Sequence, residues 1–271
     1  MTQPEARDAV PPGWDCHVHV FDADAPRLAG HYAPAPAPLA EIERLAAKHG
    51  VGHLVLVQPS VYGTDNSLLV RALQRSGGRH RGIAVVGRDI AEAEMDRLHE
   101  AGVRGVRFNL VSPVGNDDEA LAVLAPALRR RGWHVQWYAH PAQLPRIADL
   151  QARTGLVFVL DHLAGLRADA PAPLQVWQAL EQLARAGAWI KLSGWYRLGA
   201  AAPYGVLLPV IRQVSEIFGR HKVWGSDWPH TSLPAGGGSR MQALLEPVRA
   251  ALGAQELGRC LRDDPPALYA D

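Results

Sequence analysis

Leu156-Val157-Phe158-Val159-Leu160 is a wholly apolar run of strand length, and it ends without a spacer in the ionisable pair Asp161-His162. Short runs rich in Val, Ile, Leu and aromatic residues recur on either side of it: Trp14 to Phe21, His53 to Pro59, Arg81 to Gly87, Gly105 to Leu110, Trp133 to Ala139, Ala188 to Leu192 and Lys222 to Gly225. With Leu156 to Leu160 they make eight candidate strands. Between them apolar residues fall at helical spacing, as at Leu39, Ile42, Leu45 and Ala46, at Leu68, Leu69, Ala72 and Leu73, and at Leu174, Trp177, Leu180 and Leu183. Strands alternating with helices imply a parallel sheet joined by right-handed crossovers, and eight repeats are what a closed barrel needs. The predicted fold is therefore α/β, a single TIM-type (β/α)8 barrel of parallel strands over residues 13–271, preceded by a flexible tail at 1–12. Lys48-His49-Gly50, Ser76-Gly77-Gly78 and Ala186-Gly187 read as helix ends closed by glycine. A doubly wound open sheet is the alternative, and no GxGxxG follows the first strand to support it.

A chain of 271 residues suits one such barrel, and 48% hydrophobic against 20% charged residues is a globular composition with enough apolar mass for a large core. Lys plus Arg is 28 against Asp plus Glu 27, a formal charge of +1 with no basic block, so the footprint of a nucleic-acid binder is missing and a small molecule is the expected partner. Two cysteines, Cys16 and Cys260, supply neither a disulfide framework nor a Cys-rich zinc pattern, which fits a reducing compartment. Residues 1–12 carry Glu5, Arg7, Asp8 and two adjacent prolines in place of a signal peptide's apolar run, and no 18-residue apolar stretch occurs, so the expected location is the cytoplasm, away from membranes. A homo-oligomer is compatible with all of this.

Barrel enzymes keep their chemistry at the C-terminal ends of the strands. In the first strand Asp15, His17 and His19 are expected on one face, directed inward, with Cys16, Val18 and Val20 on the other, packed on helices. His17 and His19 would then bind a metal or polarise a carbonyl oxygen. His162 follows the sixth strand, where Asp161 is expected to orient a histidine. Asp227 follows the eighth in Val223-Trp224-Gly225-Ser226-Asp227-Trp228-Pro229-His230 and is the candidate base; His230 is as readily structural. The longest irregular stretches, Asp22 to Pro38 and Trp195 to Pro203, fall at the same face, where Trp195 and Tyr204 are candidates for an apolar wall.

Taken together, Asp15-Cys16-His17-Val18-His19, Gln58-Pro59-Ser60 with Gly63-Thr64-Asp65-Asn66, Gly102-Val103-Arg104-Gly105-Val106-Arg107-Phe108-Asn109, Asp161-His162, Lys191-Leu192-Ser193-Gly194 and Gly225-Ser226-Asp227-Trp228-Pro229-His230 resemble the amidohydrolase superfamily. Within it they resemble the amidohydrolase-2 group, the branch of 2-pyrone-4,6-dicarboxylate lactonases and related lactone hydrolases. Near the C-terminus Asp264-Pro265 looks like the group's closing Asn-Pro segment with Asp in place of Asn. The resemblance implies water attack on a lactone carbonyl, with Asp227 as general base and His17, His19 and His162 polarising the carbonyl.

By the resemblance no metal is required. If one divalent ion such as zinc were bound, His17, His19, His162 and Asp227 would hold it with room for a water. A binuclear set lacks its usual members, because the fourth strand offers no acid or lysine; His140, near the end of the fifth, is a conceivable fifth ligand. Substrate-binding positions implied by the resemblance are Tyr32, Ser60, Arg107, Tyr138 and Arg197. Two arginines of the dicarboxylate enzymes have no counterpart, Pro113 and Gly165 standing in their places, with Arg167 close by as a substitute. A pocket with fewer cations should prefer a lactone bearing at most one carboxylate. The competing readings are a zinc-dependent decarboxylase of the same superfamily, which shares the His-x-His, the later His and the strand-8 Asp, and a non-catalytic barrel used as a binding module.

Overall fold

The computed structural model describes residues 10–28, 34–112, 118–231, 233, 238 and 240–270. Eight strands, β1 (Gly13–Val18), β2 (Val51–Val57), β3 (Arg81–Ala84), β4 (Val103–Asn109), β5 (His134–Tyr138), β6 (Phe158–Leu160), β7 (Trp189–Leu192) and β8 (Lys222–Trp224), pair in sequence order, every neighbouring pair parallel. Helices α1 (Leu39–Ala47), α2 (Ser67–Arg75), α3 (Glu92–Glu100), α4 (Ala120–Arg130), α5 (Leu144–Thr154), α6 (Leu174–Arg185), α7 (Leu208–Phe218) and α8 (Met241–Gly258) follow the strands one by one, and a short α9 (Pro265–Tyr269) ends the chain. This is the predicted (β/α)8 barrel. A parallel bridge between Val18 and Trp228 brings β1 against the segment after β8 and closes the ring.

Apolar side chains lie in two layers. The outer one is sandwiched between strands and helices, where α2 buries Leu69, Val70, Ala72 and Leu73 and α6 buries Val176, Ala179, Leu180 and Leu183. Leu174, expected in the α6 stripe, starts the helix and is exposed. The inner layer takes Trp14, Cys16, Val55, Val57, Ile83, Val159, Trp189 and Val223 from β1, β2, β3, β6, β7 and β8, strands on opposite sides of the ring, so it lies inside the barrel. Tyr269 of α9 joins it from the N-terminal end: its ring stacks on Trp14 at 6.0 Å and its carbonyl accepts from Nε of Arg81, the first residue of β3. No helix among the described residues is long and apolar enough to cross a membrane.

The inner position of Cys16 corrects the alternation expected for the first strand. Asp15 lies opposite Leu54 and Val18 opposite Leu56, three steps on β1 against two on β2, so a β-bulge falls at Cys16 and His17. Cys16 therefore packs inside with Trp14, while Val18 and Val20 pack outside with the helices as expected.

Candidate active site

The seam that closes the barrel also assembles the site. Asp227 donates its amide to the His17 carbonyl (2.9 Å), and His19 donates its amide to the Trp228 carbonyl (2.8 Å), so β1 and the β8 loop meet with their polar side chains together. Asp227 has φ +60, and after β6 a left-handed run, His162 (φ 50), Leu163 (φ 50), Ala164 (φ 55) and Gly165 (φ 74), turns His162 into the mouth. Left-handed backbone costs a residue other than glycine about 1–2 kcal/mol, a cost that persists where surrounding contacts over-determine it.

Three imidazole nitrogens converge on one carboxylate oxygen. Nε2 of His19, His17 and His162 lie 3.6, 3.7 and 3.9 Å from Oδ1 of Asp227. Oδ1 and the Nε2 atoms of His17 and His162 are buried with no hydrogen-bond partner, an arrangement that leaves them for a ligand. The other Asp227 oxygen, Oδ2, accepts from Nε of Arg197 (2.6 Å) and from the Tyr196 hydroxyl (2.7 Å). Burial raises the Asp227 pKa, but the Arg197 guanidinium and the surrounding histidines outweigh it and hold the carboxyl well below the usual range. Burial likewise lowers His162 to about 4, and burial together with Lys191 takes His17 well below its ordinary value, so both rings are neutral at pH 7. Nδ1 of His19 lies 2.8 Å from the Val57 carbonyl, which only accepts, so Nδ1 carries a proton and Nε2 is the atom turned toward Asp227.

Beneath the histidines is a buried polar layer whose full extent sequence reasoning missed. Lys191 Nζ donates to Oε1 of Gln136 (2.8 Å), and Arg107 Nε to Oδ2 of Asp161 (3.0 Å). Asp161 lies 3.3 Å from His17 Nδ1, so it attends His17 on the facing strand, not a neighbouring histidine in sequence. His162 is instead oriented by the Ser193 hydroxyl at 2.9 Å from Nδ1. A lysine inside the apolar run Ala188 to Leu192 was the available signal for Lys191; nothing local marked Gln136 or Tyr196.

The family model described as amidohydrolase, of the Amidohydro_2 group, matches residues 14–270. The chain belongs to the amidohydrolase family. It is 32% identical to a 2-pyrone-4,6-dicarboxylate hydrolase of Comamonas testosteroni over 81% of this chain and 77% of that one. It is 33% identical to a 4-sulfomuconolactone hydrolase of Rhizobium radiobacter over 82% and 78%. A crystal structure from Acinetobacter baumannii, described as a probable 2-pyrone-4,6-dicarboxylic acid hydrolase with citric acid bound, superposes with a TM-score of 0.83 at 27% identity over 96% of this chain and all of that one. The resemblance to the lactone-hydrolase branch is borne out, and the chain is an enzyme.

Of the substrate positions expected for this amidohydrolase, Arg107, Tyr138 and Arg197 come together: the two guanidinium carbons stand 5.3 and 5.7 Å from the Tyr138 ring centre, and that ring meets His162 edge-on at 5.1 Å. Both arginines also hold a carboxylate of the site. Ser60 is buried at the turn after β2, and Tyr32 and Pro113 lie outside the described residues. Gly165 has no room for a side chain, since a Cβ there would stand 2.6 Å from the Ala139 carbonyl oxygen. Arg167 is no substitute: it is exposed, doubly bonded to Asp169. Trp195 and Tyr204 are core residues rather than a pocket wall, Trp195 donating to the Leu244 carbonyl from a fully buried position. His140 is exposed and begins a 3-10 turn, outside either metal-capable cluster among the described residues. His230 is buried with its ring edge-on to Tyr196 at 5.5 Å.

Two results are expected from groups that flank the site. A Cβ on Gly194 (φ +65) would stand 2.4 Å from Nδ1 of His162, so Gly194→Ala must displace the ring and should lower kcat by about 10²-fold, the effect of an ångström's misplacement. Gly187→Ala, at φ +81 with open space around it, carries the same backbone penalty and should lose stability with kcat unchanged. Asp15, whose Oδ1 accepts from the amides of Ser226 and His17, is raised by burial from 3.8 to about 7 against the pull of those bonds. A raised acid stabilises the fold below its unfolded pKa and loses that contribution as pH climbs through 7. Asp15→Asn should therefore raise Tm relative to the natural protein at pH 8.5 more than at pH 5, read by thermal melts at both.

Proposed function

We propose that this amidohydrolase hydrolyses a lactone bearing one acid group, with Asp227 as general base. The observation that carries the reading is the convergence of three histidine Nε2 atoms on the unpartnered Oδ1 of Asp227 at the barrel mouth; the named activities of the relatives at 32% and 33% identity support it. Water attacks the ring carbonyl carbon while Oδ1 takes its proton and the His19 Nε2 lone pair accepts from the same water. His17 and His162 face the carbonyl oxygen as charge grows on it. The ring C–O bond then breaks, and Asp227 returns the proton to the leaving alkoxide, giving a hydroxy acid. With its pKa well below the usual range Asp227 stays ionised throughout the working pH range, so its basicity is modest and positioning carries more of the rate.

Charge supports a monoacid substrate. Among the described residues Lys191, Arg107 and Arg197 oppose two ionised carboxylates, Asp161 and Asp227, and Asp15, raised to about 7, is partly ionised beside them, so the excess around the histidines is at most one positive charge. The reaction as drawn uses no metal. The donor set fits one in part: among the described residues His17, His19 and Asp227 form one metal-capable group and would hold a zinc ion that polarises the carbonyl as a Lewis acid, while His162 falls in a second group with His17 and Asp161. The same donors favour the second reading, a zinc-dependent decarboxylase. A pH-indicator screen of neutral, monoacid and diacid lactones separates them, with metal analysis of the purified protein alongside. Acid release from a monoacid lactone is the expected result; carbon dioxide release from a carboxylic acid, with every lactone left intact, would establish the other.

A further inference from the structure

We infer that Lys191 is a positioning residue that keeps the proton of His17 on Nε2, so that His17 meets the lactone carbonyl as a hydrogen-bond donor. The inference rests on the lactonase reading for its consequence, though not for its geometry. Lys191 is fully buried on β7, and its Nζ has three acceptors around it: Gln136 Oε1 at 2.8 Å, His17 Nδ1 at 3.2 Å and Asp161 Oδ1 at 3.3 Å. An ammonium has three N–H donors and no lone pair. The Gln136 amide is turned the right way for this, with its nitrogen 3.4 Å from His134 Nε2 and its oxygen left for Lys191.

His17 Nδ1 has a second neighbour, Asp161 Oδ1, also at 3.3 Å. If Nδ1 carried the ring proton and gave it to Asp161, that N–H would sit against the Lys191 ammonium. The geometry chooses the other arrangement: the contact from Lys191 to Nδ1 is aligned as a hydrogen bond, whereas Oδ1 of Asp161 forms no aligned bond at all. A neutral ring accepting at Nδ1 must hold its proton at Nε2, the atom 3.7 Å from Asp227 Oδ1. His17 and His19 then have opposite tautomers, because His19 meets a backbone carbonyl where His17 meets an ammonium. The two histidines of one His-x-His motif divide the work, one donating to the carbonyl and the other accepting from water.

The direct test is long-range proton–nitrogen correlation NMR on ¹⁵N-labelled natural protein at pH 7, with the His17→Asn variant identifying the His17 signals. An Nε2-protonated His17 beside an Nδ1-protonated His19 is expected; an Nδ1-protonated His17 overturns the inference whether or not any lactone is turned over. Lys191→Met should move the His17 proton to Nδ1, facing Asp161, and cut kcat by about 10²-fold with KM changed less than about threefold, the signature of a lost transition-state donor. If that variant does not fold, Lys191→Met combined with Asp161→Asn removes both charges together, and the tautomer in the natural protein decides in any case. A folded Lys191→Met protein with His17 still protonated at Nε2 and kcat intact would equally sink it.

Discussion

Asp227→Asn is expected to lower kcat on a lactone by about 10³-fold, within the about 10² to 10⁴-fold that a positioned general base contributes. The substitution keeps size and an oxygen for Arg197 and Tyr196 while removing the acceptor that takes the water proton. It should also lower stability, because Oδ2 and the Arg197 guanidinium form a largely buried ion pair at 2.6 Å and a charged hydrogen bond is worth about 1.5–3 kcal/mol. The sign with pH follows from the depressed pKa: this contribution is fully present above the unfolded value of 3.8 and is lost only as pH falls through the lower folded one. Turnover measured well below the melting midpoint separates the two effects. A folded variant with most of its kcat would mean that another group, with His19 Nε2 the nearest, takes the proton.

A dicarboxylate lactone should be turned over with kcat/KM about 10² to 10⁴-fold below that of an enzyme carrying both missing arginines, two lost charge-assisted contacts of about 1.5–3 kcal/mol each setting the range, and less efficiently than a monoacid counterpart. The site's excess of at most one positive charge is matched by one acid group, and a second would be desolvated without a partner. Gly165 cannot supply a cation, because any side chain there collides with the Ala139 carbonyl, and Arg167 beside it is held by Asp169. Arg107 and Arg197 remain as clamps, each sharing its charge with Asp161 or Asp227. Comparing kcat/KM across diacid, monoacid and neutral lactones decides the matter. Efficient hydrolysis of the diacid in preference to the others would show that a cation reaches the substrate from elsewhere in the chain.

The eight strands, their order and the membership of His17, His19, His162 and Asp227 in one site were legible in the sequence. These are local properties: apolar runs mark strands, helical spacing marks the crossovers between them, and residues just past strand ends all arrive at the same rim once the barrel closes. What only the tertiary structure decided is which side chain faces which across the ring. Lys191 and His17 are 174 residues apart, Arg107 and Asp161 54, Arg197 and Asp227 30. Such pairs depend on register and on the bulge in β1, which leaves Cys16 inside with Trp14 while Val18 packs outside. Asp161 accordingly attends His17 rather than His162, and Arg197 braces the base as well as lining the pocket. A strand's sequence specifies the order of its side chains, but a single extra residue in the ladder changes which of them meet, and that is set by closure of the whole ring.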